Sequence, residues 1–424
     1  MGLSAQVALP VRAEVRLSSA SWKTDPVVWA TSLFLATFLL QRIAVPGLPV
    51  PITVPLAVGW VGLALLLGVV DLNRVRAVLW LTAAGLSGLL VTLQMITLVK
   101  PFVSVNSWAL WIVMWLPLVV QLRERDRITY LRFARTVAQV GLGLAALSLL
   151  FLGSQVVGIR YHDWLSTVVP QNLLVQDYII SYPITYGSPL YKSNGWIALE
   201  PSFMSFFLGV ALICALLAGV RVWQVLFLGA GLLSTVAGSG IALVGVFLLA
   251  LAVQGRIGEL RRYLIPGAVV GVLFGSTVLG EAVLSRVTEA GESNSSTSLR
   301  SVEPYVQLWP HWLADPVGIF IGHGPGSSAN VVAGLGIDGL LVPSVAKLLY
   351  DYGLLGGALL VALMASTYFH GPSSAFAISL AASMFLIQGA AQPLVICSIL
   401  LISLWAPTRS AAGGGPRRGR PPRS

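Results

Sequence analysis

The chain has 424 residues, of which 56% are hydrophobic and only 10% are charged. Soluble domains carry about 25% charged residues, so this composition excludes a soluble protein and indicates an integral membrane protein. The formal net charge is +10, and a basic excess on a membrane protein favours contact with anionic lipid over binding of nucleic acid.

The predicted elements are a cytoplasmic tail followed by a series of apolar spans. The tail, residues 1–25, contains basic residues but no short apolar core with a small-residue cleavage site, so the first span is expected to stay as an anchor. Apolar stretches long enough to cross a bilayer as helices then recur along the chain. They cover residues 27–45, 49–70, 76–98, 106–122, 133–153, 196–218, 222–237, 239–254, 264–284, 346–369, 375–391 and 393–407. The sequence therefore predicts an all-α polytopic membrane protein of about twelve spans, forming one membrane domain over residues 1–424.

Cys214 and Cys397 lie within these spans and predict neither a disulfide nor a metal site.

The basic residues predict how the spans are oriented. With the N-terminus in the cytoplasm, nineteen of the 26 Lys and Arg residues fall in or beside cytoplasmic segments, as the positive-inside rule requires. Both termini are therefore predicted to be cytoplasmic, including a disordered basic tail over residues 408–424. Two long loops, residues 154–195 and 285–341, are predicted to be external, and loops of that length are usually functional.

The first external loop contains Arg160 and a segment from Tyr161 to Tyr178 that is rich in large apolar side chains. Such a segment suits a position in the plane of the membrane surface. Two interpretations remain open: the loop is a plain interfacial anchor, or it forms part of a substrate-binding surface to which Arg160 contributes.

A carboxylate, Glu200, stands near the beginning of the sixth predicted span, in the run Trp196-Ile-Ala-Leu-Glu-Pro-Ser. Burying a carboxylate in a membrane protein is costly, so Glu200 is a candidate catalytic residue. The alternative is that it pairs with Lys192 or Arg300 and anchors a loop. Lys192, just upstream, either binds substrate or extends its ammonium group to the membrane surface.

The second external loop begins with Arg286 and a flexible Gly/Ser/Asn/Thr stretch that ends at Arg300. Ser298 is expected to cap a helix that runs to Leu313. Arg300 either binds an anionic substrate or forms an ion pair with Glu303 or Glu200.

A glycine-rich turn, Ile321-Gly-His-Gly-Pro-Gly-Ser-Ser, follows in the same loop. Glycines let the backbone adopt positive φ, and successive N–H groups in such turns can bind an anion. His323 in this turn is either a substrate contact or a surface residue. Farther on, Lys347 and Asp351 lie four residues apart on a predicted helix, where their mutual pairing competes with substrate binding by Lys347.

Taken in order, these features resemble the O-antigen polymerase and O-antigen ligase superfamily of bacterial polysaccharide assembly. The resemblance rests on five segments: Lys192-Ser-Asn-Gly with Glu200-Pro-Ser; Ser234-Thr-Val-Ala-Gly-Ser-Gly; Arg300 at the start of the loop helix; Phe320-Ile-Gly-His-Gly-Pro-Gly; and Leu349-Tyr-Asp-Tyr-Gly-Leu-Leu-Gly-Gly. These segments fall within residues 190–370, while the first half of the chain matches only in hydropathy.

The resemblance implies a GT-C-like glycosyltransferase of the bacterial cytoplasmic membrane that needs no cofactor, neither a metal nor a nucleotide. Its substrates are a polyprenyl-diphosphate-linked glycan donor and a glycan acceptor, and its expected protein partners are a flippase and a chain-length regulator. In that chemistry Glu200 is the general base and Arg300 stabilises the leaving diphosphate. The further candidates for binding diphosphate or glycan are Lys192, Arg286, Arg160, His323 and Lys347.

One departure bears on the choice within the superfamily. The ligase branch has a His shortly before the last glycine motif, and the corresponding stretch here, Leu341-Val-Pro-Ser-Val, has none. This favours the polymerase side of the superfamily, or a relative that acts on another cell-surface glycan, over ligase-like transfer to a lipid or protein acceptor. A polysaccharide transporter and a lipid-linked glycan flippase also stay open as functions of such a bundle. A transporter would more often show ionisable residues at mid-bilayer in two related halves, and no repeat relates residues 27–220 to 221–407.

Overall fold

The computed structural model describes residues 24–47, 50–96, 102–176, 178, 180–184, 187–277, 280–281, 283, 298–337, 340–369, 371–387 and 392–405. The tails over residues 1–23 and 406–424, and Arg286 with most of the Gly/Ser/Asn/Thr stretch that follows it, lie outside the described residues. Within the described part, helices dominate, as the sequence predicted.

The helices lie as follows along the chain: α1 Pro26–Leu39, α2 Thr53–Leu66, α3 Arg74–Ile96, α4 Val105–Met114, α5 Arg127–Val156, α6 Trp164–Val168, α7 Pro201–Ala218, α8 Val222–Ser234, α9 Gly238–Val253, α10 Arg261–Gly275, α11 Ser298–Ser301, α12 Glu303–Ala314, α13 Pro316–Ile321, α14 Ser327–Gly334, α15 Ser344–Ser366, α16 Ser374–Ala382 and α17 Gln392–Ile402. Short 3-10 segments cover Leu116–Val119, Gln171–Leu173, Ile257–Leu260 and Ser403–Trp405, and a π-helical segment, Ser383–Ile387, continues α16.

Four helices in the described part of the chain are long and apolar enough to cross a membrane: α3, α5, α7 and α15. Seven shorter segments are also apolar, and they contain α1, α2, α4, α8, α9, α16 and α17. The prediction of an all-α protein with membrane-type helices is therefore confirmed. Every predicted span overlaps one of the helices.

Several predicted boundaries differ from the structure, and at three of them the chain adopts a different local conformation from the one predicted. The span predicted over 106–122 is helical only to Met114, and its last residues form strand β2, Val120–Leu122, which pairs antiparallel with β1, Val70–Leu72. The span predicted from residue 196 becomes helical only at Pro201. The loop helix predicted from Ser298 is interrupted at Val302, between α11 and α12, and Ser298 is its first helical residue rather than its cap.

Helix α7 lies at the centre of the bundle, where it is buried along most of its length between α5 and α9. Small residues allow these helices to approach closely. A Cβ atom at Gly240 on α9 would lie only 1.9 Å from the carbonyl oxygen of Ser205 on α7. Because α8 connects α7 to α9 through two short turns, α7 and α9 run parallel, and both begin at the same end of the bundle.

Candidate functional site

The candidate site is built around the N-terminus of α7, where Glu200 occupies the N-cap position with extended backbone. The Glu200 side chain is buried, at 6% exposure. The Ser202 hydroxyl donates a hydrogen bond to its Oε2, at 2.9 Å. Pro201 begins the helix, a position at which proline's missing N–H costs nothing. The helix therefore begins directly after a buried carboxylate.

The segment leading to Glu200, residues 192–200, is irregular backbone packed inside the protein. Ser193 and Asn194 are almost completely buried. The Asn194 side chain accepts a hydrogen bond from the backbone N–H of Trp196, at 3.0 Å. Trp196 has a φ of 61°, an uncommon value for a residue other than glycine. Non-helical backbone at membrane depth is tolerated only where the protein buries it, and strained conformations of this kind cluster at functional sites.

Lys192 lies at the other end of the same segment. Its backbone N–H donates to the carbonyl of Tyr182, at 2.8 Å, and its Nζ lies 5.8 Å from the centroid of the Tyr182 ring. A cation over an aromatic face is attracted by the ring quadrupole. The loop thus positions a half-buried ammonium group and Glu200 at the two ends of one nine-residue segment.

The break between α8 and α9 packs against the beginning of α7. The Ser205 hydroxyl donates to the carbonyl of Ala237 at 2.9 Å and accepts from the N–H of Gly240 at 3.0 Å. The Ser239 hydroxyl donates to the carbonyl of Ser202. Val236, within the break, has a φ of 47°. The Ser-rich segment that follows α8 therefore opens α9, as predicted, directly beside the N-terminus of α7.

Two parallel helices thus present their N-termini side by side near Glu200. Helix N-termini carry partial positive charge and favour an anion nearby. Beneath them, buried hydroxyl groups of three elements are hydrogen-bonded to each other: Ser148 of α5 to Ser193 at 2.9 Å and to Ser234 of α8 at 2.8 Å. This arrangement can hold a negatively charged group against the bundle, with a carboxylate at its edge.

The glycine-rich turn binds an anion of the protein itself, the carboxylate of Asp351. Asp351 is fully buried, and it accepts hydrogen bonds from the N–H groups of Gly326 and Ser328 at 3.0 and 2.9 Å, and from the hydroxyl of Ser327 at 3.1 Å. Lys347 adds an ion pair, with Nζ 2.7 Å from Oδ2. The predicted pairing of Lys347 with Asp351 is thus present, and substrate binding by Lys347 stays a prediction.

Two of the resemblance segments, the glycine-rich turn and the Gly353 motif, pack directly against each other. Gly353 interrupts α15 with a φ of 64° and a ψ of −172°. A Cβ atom there would lie 2.4 Å from the carbonyl carbon of Phe320, and one at Gly322 would lie 2.3 Å from the carbonyl oxygen of Asp351. The two glycines therefore permit a backbone crossing that no other residue type would fit.

His323 is part of this second cluster. Its ring stacks on that of Tyr350, with centroids 4.4 Å apart and planes inclined by 14°. Its Nε2 lies 3.5 Å from the Asp315 carboxylate. These contacts account for the position of the ring within the fold, while substrate binding by His323 stays a prediction.

Sequence reasoning missed an ion pair between Arg42 and Asp163. Arg42, just after α1, is 1% exposed, and its Nη1 and Nη2 donate to the two carboxylate oxygens of Asp163 at 2.8 and 2.5 Å. Burial raises the pKa of Asp163, but the hydrogen bonds and charge of Arg42 outweigh it and hold this pKa below its usual range. The two residues are 121 positions apart. The only indication of this ion pair in the sequence is that Arg42 stands at the end of an apolar run.

The remaining predicted site residues are distributed as follows. Arg160 is exposed beyond the end of α5. Arg300 is the third residue of α11, whose backbone is joined to the loop end by a hydrogen bond from the Leu341 N–H to the Leu299 carbonyl at 3.2 Å. The convergence of Glu200, Lys192 and Arg300 on one cavity stays a prediction. Among the described residues, no group of three or more His, Cys, Asp and Glu side chains is arranged to hold a metal ion.

Comparison with known proteins does not place this chain in a family. No family model matches it, and no curated protein sequence matches it either.

Proposed function

We propose that the protein is a membrane glycosyltransferase that polymerises polyprenyl-diphosphate-linked oligosaccharide repeats on the external face of the bacterial cytoplasmic membrane. In this proposal about twelve helices span the bilayer in a GT-C-like arrangement, with both termini in the cytoplasm. The observation that carries it is the buried carboxylate of Glu200 at the paired N-termini of α7 and α9. That junction combines a candidate base with a region of positive potential.

The proposed reaction uses these two properties. An acceptor hydroxyl attacks the anomeric carbon of the donor sugar, and its proton passes to the Glu200 carboxylate. The bond between that carbon and the diphosphate oxygen breaks, and polyprenyl diphosphate leaves with the bonding electron pair. Arg300, Lys192 and the helix N-termini stabilise the growing negative charge. The donor already carries an activated diphosphate, so no nucleotide enters the reaction.

The resemblance to the O-antigen polymerase and ligase superfamily supports the same assignment. Two of its segments meet at the candidate site: the one ending in Glu200-Pro-Ser and the Ser-rich opening of α9. The third, Arg300, lies in α11, and its approach to Glu200 is part of the proposal. The other two, the glycine-rich turn and the Gly353 motif, form the crossing that fixes the loop to α15. In this proposal the α7–α9 contact and the crossing at Gly353 both belong to one site, and this explains why the chain has these segments in the same order as the superfamily.

The test is glycosyl transfer by the purified protein in nanodiscs, given polyprenyl-diphosphate-linked oligosaccharide without nucleotide. A ladder of longer lipid-linked products is expected. Glu200→Gln and Arg300→Ala should each lower the rate by roughly 10²–10³, the usual effect of removing a group that stabilises the transition state. Arg300→Lys should restore only part of it, because Lys lacks the planar fork of Arg.

Matched controls are Glu259→Gln and Arg127→Ala. Glu259 is an exposed carboxylate paired with Arg256 after α9, and Arg127 is an exposed arginine at the start of α5. Both variants should keep the wild-type rate. A single transfer to a lipid or protein acceptor would reassign the protein as a ligase, and movement of intact lipid-linked glycan across the bilayer without bond formation would show a flippase.

A further inference from the structure

A cavity at the C-terminal end of α7, opposite the end that carries Glu200, forms a second site. It has a volume of about 370 Å³ and lies between α5 and the beginning of α8, with Gly219 and Val220 of the α7–α8 turn in its wall. That volume falls within the range of about 300–1,000 Å³ typical of small-molecule pockets. The cavity lies against the N-terminal half of α5 and the N-terminal end of α8, and both helices are predicted to begin at the cytoplasmic face.

The two helices line the cavity with the same series of side chains. On α5 the series is Arg135, Gln139 and Leu142; on α8 it is Arg221, Gln224 and Leu228. In both, the side chains recur at helical spacing and therefore lie on one face of each helix. Because α5 and α8 both run inward from this surface, each series changes from cationic through amide to apolar with depth. In each series the arginine and the leucine are seven residues apart, which corresponds to roughly 10 Å along the helix axis.

The cavity closes toward the membrane interior because the helices meet there. A Cβ atom at Gly231 of α8 would lie 2.5 Å from the Cβ atom of Ala145 on α5. Leu228, one turn nearer the surface, is fully buried. The helices therefore touch at Gly231 and diverge toward the arginines, leaving a wedge that opens at the surface.

The charge in the wedge is one-sided. Its lining contains Arg135 and Arg221 but no Asp or Glu, and in the described part of the chain neither guanidinium forms an ion pair. A third guanidinium, that of Arg262, lies against the wall, since a Cβ atom at Gly219 would be 2.9 Å from its Nη2. The N-terminal end of α8, at Val222, adds partial positive charge beside Arg221.

We propose that this wedge binds an anionic phospholipid. The headgroup phosphate lies between Arg135 and Arg221, where Arg can bind phosphate oxygens bidentately. The glycerol ester oxygens reach the amides of Gln139 and Gln224, and the start of one acyl chain lies against Leu142. Basic pockets between membrane helices recognise acidic lipid headgroups by this combination of charge and depth. The site is independent of the proposed glycosyl transfer and lies at the other end of α7.

The probe is dioleoyl phosphatidylglycerol, compared with dioleoyl phosphatidylcholine, and the readout is lipid retained by the purified protein in native mass spectrometry. The wild type should retain the anionic lipid and release the zwitterionic one. Arg135→Gln combined with Arg221→Gln should weaken retention by roughly tenfold to thirtyfold, the loss expected for two arginines beside an anionic headgroup. Both arginines are exposed, so the substitutions leave the core intact.

Two further variants and one competitor complete the test. Arg74→Gln combined with Arg127→Gln removes two exposed arginines from the same predicted face and should retain lipid like the wild type, whereas Arg135→Lys with Arg221→Lys should be intermediate. Inorganic phosphate at equal concentration should not displace the lipid. Equal retention by the Arg135/Arg221 double glutamine variant, equal retention of phosphatidylcholine, or displacement by inorganic phosphate would each overturn the proposal; the last would show a site for free anions.

Discussion

The two loops predicted to be external are attached to the bundle in different ways. The first is held by a bidentate ion pair, in which Asp163 of the loop meets Arg42 just after α1, and by backbone hydrogen bonds from the Ala44 N–H to the Leu173 carbonyl and from the Val175 N–H to the Arg42 carbonyl. The second is held by a buried carboxylate, Asp351 of α15, which accepts hydrogen bonds from three donors of the glycine-rich turn and pairs with Lys347. The first attachment combines charge with an antiparallel backbone bridge between Ile43 and Leu174, whereas the second combines charge, neutral hydrogen bonds and a close backbone crossing.

The comparison shows that an isolated charge beside an apolar helix does not by itself indicate chemistry. Arg42 and Lys347 both adjoin apolar segments in the sequence, and within the fold both pair with a carboxylate, that of Asp163 and that of Asp351. A stronger indication of a functional site is a carboxylate combined with irregular buried backbone and converging helix ends. Glu200 has that combination.

The largest effect is expected from Asp351→Ala. The substitution leaves two backbone N–H groups, one hydroxyl and the Lys347 ammonium without their acceptor in a buried place. Breaking a buried ion pair by removing one partner commonly costs about 3–5 kcal/mol. Thermal unfolding of the purified protein should show this loss, with earlier proteolytic cleavage near residues 322–328.

The matched control is Asp71→Ala, which removes an exposed partner of Arg123. Exposed pairs contribute about 0–1 kcal/mol, so this variant should unfold like the wild type. Equal stability of the two variants would mean that Asp351 does not attach the second loop.

A somewhat smaller effect is expected from Gly353→Ala. The residue has positive φ, and its new Cβ atom would meet the Phe320 carbonyl. Strain of this kind costs on the order of 1–3 kcal/mol before any clash is counted. The control is Gly271→Ala in α10, where a Cβ atom meets nothing within 4 Å, and where alanine should be neutral or stabilising by up to about 1 kcal/mol. If both alanine variants unfolded at the same temperature, the close crossing would be wrong.

The sequence predicted what depends on local pattern. Hydropathy located a helix overlapping every predicted span, and the spacing of Lys347 and Asp351 predicted their pairing. The start of α7 was misplaced because residues 196–199 are apolar yet held in irregular backbone, in which Trp196 has positive φ. Hydropathy does not report such a conformation.

Contacts between distant residues were not predictable from pattern. The glycine-rich turn was expected to bind an anion, but its partner is a carboxylate 23–25 residues away. Likewise, nothing local connects Arg42 with Asp163. The pairing of β1 with β2 was also missed, since each strand has only three residues and directly adjoins an apolar helix or 3-10 segment. Around the candidate site, Glu200 and Lys192 were identified as candidates from the sequence. That the N-terminus of α9 lies beside them could be seen only in the structure.

The smallest effect is expected from Asp163→Asn, and it should depend on pH. The substitution leaves the buried Arg42 guanidinium with a neutral partner, and since Asp163 is partly exposed, we expect a loss of about 2 kcal/mol, below the range for fully buried pairs. The pKa of Asp163 is lowered in the folded protein: burial raises it, but the Arg42 hydrogen bonds and charge outweigh burial. Because this pKa is lower in the folded protein than in the unfolded chain, the ionised carboxylate stabilises the fold fully at pH values above the ordinary aspartate pKa of about 3.9. The stabilisation is lost as the pH falls through the lower folded-state pKa. The difference in melting temperature between wild type and Asp163→Asn should therefore be constant from pH 7 to about 5 and shrink below about 4.

Hydrogen exchange of residues 161–176 should become faster in the variant at neutral pH, because the first loop has lost its charge-based attachment. A melting difference that stayed constant down to pH 3, or a variant with wild-type exchange in this loop, would show that the ion pair does not attach it.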